Sequence, residues 1–297
     1  MTAQPASDFL AEMVAAARER VARGRETAPP ERPLAASSGR QAAGTPPRTG
    51  PGRLHTALLT AADGGCLGLI AEVKRRSPSK GDIAPGLDAA SQALAYEAAG
   101  ADAVSVLTEP TRFGGSLEDL AAVAAAVRLP VLRKDFIVDA CQVREAAAAG
   151  AAAVLLIVAA LDDAALAELL GESRACGLDA LVEVHDRAEL QRAVGAGAKL
   201  IGVNNRDLRS LQVDLSVTED LAGAVRASAV PADAGSVGPP PAGVLLVSES
   251  GIATPADARR VAAAGARAVL VGEALVRCAH ERLPDLVAAL RAAGWPP

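Results

Sequence analysis

Aromatic side chains are nearly missing from this chain of 297 residues: they make up 2% of it, with three Phe, one Tyr and one Trp. Yet 51% of the residues are hydrophobic. A sizeable core must therefore be assembled from Ala, Val and Leu, which suits helices packed closely on a parallel sheet. Cysteine is scarce too. Cys66, Cys141, Cys176 and Cys278 are scattered, with no CxxC pair and no Cys/His ligand spacing. That excludes a disulfide framework and the usual zinc sites, and reads as the reduced thiols of a cytoplasmic protein. No long basic run exists and the net charge is −5, so neither nucleic acid nor an anionic membrane is expected as a partner. The N-terminus lacks a charged segment followed by an apolar one, so no secretory signal is expected. The uncharged run at residues 146–161 is shorter than the roughly 18–20 residues a bilayer demands. A helix tail entering a buried strand explains it better.

What the chain does contain is a repeat. Ala98-Ala-Gly-Ala-Asp-Ala-Val-Ser-Val106 and Ala148-Ala-Gly-Ala-Ala-Ala-Val-Leu-Leu156 share one pattern with Gly195-Ala-Gly-Ala-Lys-Leu-Ile-Gly-Val203 and Ala263-Ala-Gly-Ala-Arg-Ala-Val-Leu-Val271. Each is a helix end of small residues, a Gly suited to the left-handed position after a helix, then a short apolar strand. Strand candidates number eight, at residues 67–74, 103–108, 131–134, 153–158, 180–184, 200–204, 244–248 and 268–271. Helical stretches follow them, as at 88–99, 117–127 and 164–176. The seventh helix opens with Thr254-Pro255, an N-cap followed by Pro at the first helical position. Eight βα units predict a closed (β/α)8 barrel, a TIM barrel, over residues 67–297. The structural alternative is an open doubly wound sheet, but no glycine-rich nucleotide turn follows the first strand. Residues 1–66 form a cap: an extra N-terminal helix at about 8–23, then a Pro/Gly/Ser-rich leader at 27–52 expected to be irregular. Residues 231–243 read as a surface loop.

Strand ends carry the polar residues. The first strand ends in Glu72 and Lys74, which leave the same face because side chains two apart do so. Unpaired charges are costly in an apolar strand, so they mark the mouth of a site. The third strand ends in Arg133-Lys134-Asp135, the fifth in Glu183, the sixth in Asn204-Asn205-Arg206, and the seventh in Ser248-Glu249-Ser250-Gly251. The eighth runs into Gly272-Glu273. Any one of these could be a solvated end or a turn; six together at the catalytic end of a barrel indicate an enzyme. The loops at 249–255 and 271–275 each bring a Gly and backbone N–H groups to a helix start, where an anion is favoured. Loops after the seventh and eighth strands form the usual phosphate site of such barrels. Arg75, Arg76 and Lys80 read as solvated charges, and His185 and His280 as surface or packing residues without metal-ligand spacing.

These residues carry a resemblance. Ile70-Ala-Glu-Val-Lys-Arg-Arg-Ser-Pro-Ser-Lys-Gly81, Val106-Leu-Thr-Glu109 with Phe113-Gly-Gly-Ser116, and Leu132-Arg-Lys-Asp-Phe-Ile137 resemble the indole-3-glycerol-phosphate synthase family of tryptophan biosynthesis. So do Leu181-Val-Glu-Val-His185, Ile201-Gly-Val-Asn-Asn-Arg-Asp-Leu208 and Ser248-Glu-Ser-Gly-Ile252. Six motifs in register, along nearly the whole chain, are specific. The resemblance implies a carboxy-lyase that converts 1-(2-carboxyphenylamino)-1-deoxyribulose 5-phosphate to indole-3-glycerol phosphate, CO2 and water. It implies no cofactor and no metal, since the substrate supplies its own electron sink, and a small phosphorylated substrate as the only partner. A monomer is expected, with a weak homodimer as the alternative.

By the same resemblance Lys134 is the general acid at the substrate carbonyl. Lys74 holds the carboxylate that is lost and donates a proton in dehydration; Glu183 is the base, and Glu72 orients the lysines. Asn204 and Ser250 bind hydroxyl or carboxylate groups with support from Glu249, and Arg206 and Ser77 complete the polar wall. Gly251, Gly272 and the backbone of Glu273 hold the phosphate, and Phe113 walls the anthranilate ring. Crowded ammonium groups are expected to depress the pKa of one lysine. The chain departs from the family where Leu54 or Leu58 stands for a Phe near the substrate, where Cys141 replaces an aromatic, and in the length of the 231–243 loop. The rivals are a phosphoribosylanthranilate isomerase, against which the first strand lacks a terminal Cys, and a catalytically silent paralogue. Indole formation by the purified protein separates these readings.

Overall fold

The computed structural model describes residues 9–27, 50, 52–208, 210–227 and 244–293. Most of the leader at 27–52 and all of the 231–243 loop lie outside them. Eight parallel strands close into a barrel. In chain order they are β1 (Gly68–Val73), β4 (Ala103–Leu107), β5 (Val131–Lys134), β6 (Ala153–Ile157), β7 (Asp179–Val184), β8 (Leu200–Asn204), β9 (Leu245–Glu249) and β10 (Ala268–Val271). A two-stranded ribbon, β2 (Arg76–Ser77) with β3 (Gly81–Asp82), projects from the loop after β1. The crossover helices are α3 (Ala89–Ala98), α4 (Leu117–Ala126), α5 (Ala140–Ala148), α6 (Asp163–Ala175), α7 (Arg187–Gly195), α8 (Ser216–Ala227) and α9 (Pro255–Ala264). The short α10 (Glu273–Val276) and α11 (Leu283–Arg291) complete the ring. All eight expected strands form, each within two residues of its expected ends. Caps set the helix starts: Asp88, Ser116, Asp139, Asp162 and Asp186 each accept a backbone N–H from the first turn, and Thr254 forms a reciprocal capping box with Asp257.

Two apolar layers hold the fold. One lies between sheet and helices; the other fills the barrel, with Ile70, Leu132, Leu181 and Val247 from the first, third, fifth and seventh strands. Inward positions recur every second residue, and alternate strands fill one tier. Two residues further along those four strands lie Glu72, Lys134, Glu183 and Glu249, so the tier above the apolar one is charged. Tyr96, the only Tyr, is buried beneath the sheet and donates a hydrogen bond to the Glu72 carbonyl at 3.2 Å. The only Trp, Trp295, lies beyond the last described helix, so every described element is built without tryptophan.

Two helices precede the barrel, and they close opposite ends. The expected N-terminal helix is present as α1 (Phe9–Thr27), whose Phe9, Met13 and Ala17 pack into the inner core. Its Arg20 reaches the strand ends, with Nη2 2.7 Å from Asp135 and Nη1 3.4 Å from Glu109. A second helix, α2 (Arg53–Asp63), was not anticipated from the sequence. It plugs the N-terminal end of the barrel with Leu54 and Leu58, both fully buried. This corrects the expectation that one of those leucines stands near the substrate. No local residue caps α2. Instead the carboxylate of Asp179, at the start of β7, accepts from the backbone N–H groups of Gly52, Leu54 and His55 at 2.9, 2.8 and 3.0 Å. A carboxylate on those donors also complements the helix dipole.

Replacing Asp179 by Ala strands these donors. The urea midpoint is expected to fall by an amount corresponding to about 2 kcal/mol, the scale of a charged hydrogen-bonding group. An unchanged midpoint would show that the plug holds by apolar packing alone.

Candidate active site

The charged tier forms the floor of a cavity of about 480 Å³ at the C-terminal end of the strands. Lys134 Nζ lies 3.1 Å from Glu249 Oε2 and 3.5 Å from Glu183 Oε2. Lys74, one residue past β1, sits 2.7 Å from Glu72 Oε1. Asn204 donates from Nδ2 to Glu183 Oε1 at 3.0 Å, and its Oδ1 accepts the Arg206 N–H at 3.0 Å. Glu72, Glu183 and Glu249 are 3%, 1% and 1% exposed. Such burial is tolerable only because ammonium groups stand among them.

The electrostatics follow from that count of charges. Burial alone would lower the Lys134 pKa, but Glu249, Glu183 and Glu72 outweigh it and hold the ammonium above its ordinary value. The expected depression is thus reversed at Lys134, because carboxylates and not ammonium groups crowd it. Burial would raise Glu72, yet Lys74 and Lys134 keep it below the usual carboxylate range. Glu249 goes the other way. Burial, with Glu183 and Glu72 nearby, pushes it up to about 7 against the pull of Lys134. Neither of its oxygens has a well-angled hydrogen bond among the described residues. The tier therefore carries an ionised lysine beside a carboxyl group that retains proton affinity near neutrality.

Backbone without side chains makes this crowding possible. A Cβ on Gly202 of β8 would fall 2.0 Å from Glu249 Oε1, and one on Gly272 would fall 2.6 Å from Glu72 Oε1. Gly272 is thus a spacer for Glu72 as well as part of a mouth loop. At the end of β9, Ser250 and Gly251 both have positive φ, at 63° and 82°. Asn205 pins that turn: its Nδ2 donates to the carbonyls of Glu249 and Ser250 at 2.9 and 3.0 Å, while its Oδ1 accepts from Thr218. The start of α9 is less open than the sequence implies, because Asp257 already accepts the N–H groups of Ala253 and Thr254.

Every residue to which the resemblance gave a role lines this one cavity: Glu72, Lys74, Ser77, Phe113, Lys134, Glu183, Asn204, Arg206, Glu249, Ser250, Gly251, Gly272 and Glu273. Arg206 also ties two mouth loops, donating to Ser79 Oγ and the Leu211 carbonyl at 3.2 and 2.9 Å. Sequence reasoning missed Phe9, Phe136 and Glu109, which line the cavity too. All three Phe of the chain meet there, Phe136 lying 6.2 Å from Phe9 and 6.5 Å from Phe113 between ring centroids. That convergence in an aromatic-poor chain was the available signal. Phe136 supplies the aromatic after β5, whereas Cys141 lies in the first turn of α5. Glu109 accepts the N–H groups of Thr111, Arg112 and Phe113, which fixes the Phe113 loop.

The surface reading of Arg75 changes, and His185 takes the packing alternative. Arg75 is a brace, donating to Asp119, the Leu87 carbonyl and the Gly114 carbonyl. His185 is a mostly buried neighbour of Glu183, its side chain 16% exposed. The described residues hold no cluster of His, Cys, Asp and Glu able to take a metal ion, and none of their helices is long and apolar enough to cross a membrane.

A closed parallel barrel with paired acids and bases at the C-terminal strand ends defines a (β/α)8-barrel enzyme. The model of the family described as indole-3-glycerol phosphate synthase matches residues 51–284, and the chain belongs to that family. It is 50% identical over 229 residues to an indole-3-glycerol phosphate synthase of Paenarthrobacter aurescens, covering 76% of this chain and 79% of that one. It is 56% identical over 209 residues to one from Nocardioides sp., covering 70% and 75%. Among solved structures, tryptophan synthase from M. tuberculosis superposes with a TM-score of 0.58 at 18% identity, over 82% of this chain and 98% of that one. A likeness at that identity shows the barrel fold alone. Family membership makes the protein a carboxy-lyase of tryptophan biosynthesis that acts on a small phosphorylated substrate.

Gly202→Ala tests the spacing of the floor. Its Cβ would push the Glu249 carboxyl off Lys134, and a misplacement of that size is expected to lower kcat by about a hundredfold. Turnover at the wild-type level would show that Glu249 need not stand where it does.

Proposed function

We propose that the cavity divides the substrate between opposite strands of the barrel. The anthranilate ring lies against Phe113, Phe136 and Phe9, which gather at the ends of β4 and β5. The phosphate lies at Ser250–Gly251 and at Gly272 with the Glu273 backbone, after β9 and β10. The third and seventh strands face each other in an eight-stranded barrel, so the ketose between the two ends crosses Lys134 on the floor. The observation that carries this reading is the placement of Lys134, held by Glu183 and Glu249 in a cavity that the aromatic wall and two glycine loops also line.

The chemistry then follows in order. Lys134, protonated at neutral pH, gives its proton to the ketose oxygen as the carboxylate-bearing ring carbon attacks. The new carbon–carbon bond leaves an iminium on the anilino nitrogen. Departure of CO2 returns its electron pair to the ring and restores aromaticity; Lys74, backed by Glu72, holds that carboxylate until it leaves. The hydroxyl formed in the first step departs as water with a proton from Lys74, and Glu183 takes the proton whose loss completes the indole. Two protons are given and one is taken, so the floor must be recharged once per turnover. A Glu249 carboxyl with a pKa raised to about 7 beside Lys134 supports that step. Asn204 orients Glu183, Ser250 and Ser77 meet substrate oxygens, and Arg206 closes the wall between two loops. The described lining residues come from one chain, which favours a monomer, and Cys66, Cys141, Cys176 and Cys278, none of them in a disulfide, support a cytoplasmic location.

Replacing Lys134 by Ala is expected to lower kcat by about 10³-fold, within the range of a positioned acid. The measurement follows indole fluorescence from the carboxyphenylamino-deoxyribulose phosphate with chelator present. Wild-type turnover in a folded variant would remove Lys134 from the acid role.

A further inference from the structure

His185 follows β7 immediately and does not line the cavity, yet it is built into the charged floor. Its backbone N–H and its Nδ1 both meet Glu189 Oε2, at 2.8 and 3.1 Å, which fixes the ring and leaves Nδ1 as the donor. Nε2 is buried without a hydrogen-bond partner and lies 3.5 Å from Glu183 Oε1. A neutral ring in this tautomer would turn its Nε2 lone pair on a carboxylate oxygen; only the imidazolium presents a proton to it. The groups facing the ring agree. Glu189 from α7, Glu183 from β7 and Glu249 from β9 are all acidic, and the nearest ammonium, Lys134 of β5, stands on the other oxygen of Glu183. Burial would lower the His185 pKa, but the bond to Glu189 and the charges of Glu183, Glu189 and Glu249 outweigh it and raise it.

We infer that His185 is a positioning residue for Glu183, a doubly protonated ring clamped between Glu189 and the carboxylate it holds in place for proton abstraction. This rests on the reading of Glu183 as the base. Glu183 then has three fixed contacts: Asn204 and His185 at Oε1, and Lys134 at Oε2. His185 tightens the geometry of the base, fixing the Oε1 side of its carboxylate from the ring side. As pH rises through the raised pKa of His185, the Nε2 proton is lost and the clamp opens, which contributes an alkaline fall in kcat.

The test compares His185→Ala and His185→Gln across pH, with Glu183→Gln as control and circular dichroism to verify folding. His185→Ala is expected to lower kcat by about ten- to a hundredfold, a fraction of what a positioned base contributes. KM should stay within about twofold, because no contact to the ground-state substrate is lost. His185→Gln keeps an N–H donor that does not titrate. It should recover most of the turnover and lose the alkaline fall attributable to the ring. Wild-type kcat in His185→Ala overturns the inference. So does equal impairment of both variants with a raised KM or a lowered melting temperature, the mark of a merely structural histidine. If Glu183→Gln itself keeps wild-type turnover, the assignment of the base falls and the clamp with it. A dead Glu183→Gln beside an unimpaired His185→Ala sinks the clamp alone.

Discussion

An ammonium among three buried carboxylates, at one tier of the barrel, is the constraint to which the rest of the molecule answers. Leaving one member of such a buried set without its partner costs on the order of 3–5 kcal/mol, so each group needs the others to remain charged. Lys134 on the third strand reaches Glu249 on the seventh, across the barrel. The pair can meet because Gly202 leaves room for the Glu249 carboxylate, as Gly272 does for that of Glu72. Below this tier the barrel is largely apolar and plugged by α2. That low-dielectric layer strengthens the charged interactions above it.

The mouth is organised by a second polar network that never touches the floor. Arg133 points outward from β5, bonding to Asp135, to Thr108 and to the Gln142 carbonyl. Asp135 in turn receives Arg20 from α1. Successive residues of one short strand thus do different work: Arg133 braces the outside and Lys134 enters the cavity. Through Arg20, the position of Phe9 is tied to the strand that carries Lys134.

Much of this was legible in the chain because periodicities of two and 3.6 impose few alternatives. Eight apolar runs, six of them ending in polar residues, spaced by helical stretches, leave little besides a barrel, and the C-terminal rule for strand ends then collects Glu72, Lys134, Glu183, Asn204 and Glu249 at one rim. What was not legible depends on contacts between distant segments. The plug helix α2 has no cap of its own, and its start is set by Asp179, more than a hundred residues further on. The Lys134 shift could not be signed from lysine spacing, because it depends on carboxylates arriving from three other strands. His185 could be read only as surface or packing, because the sequence shows neither Glu189 beneath its ring nor Glu183 beside it.

The aromatic poverty of the chain reaches beyond packing. Its barrel, both closing helices and the whole charged floor are encoded upstream of a single tryptophan codon, at position 295. A cell starved of tryptophan can therefore translate every described element before its ribosomes reach the codon whose charged tRNA is scarce.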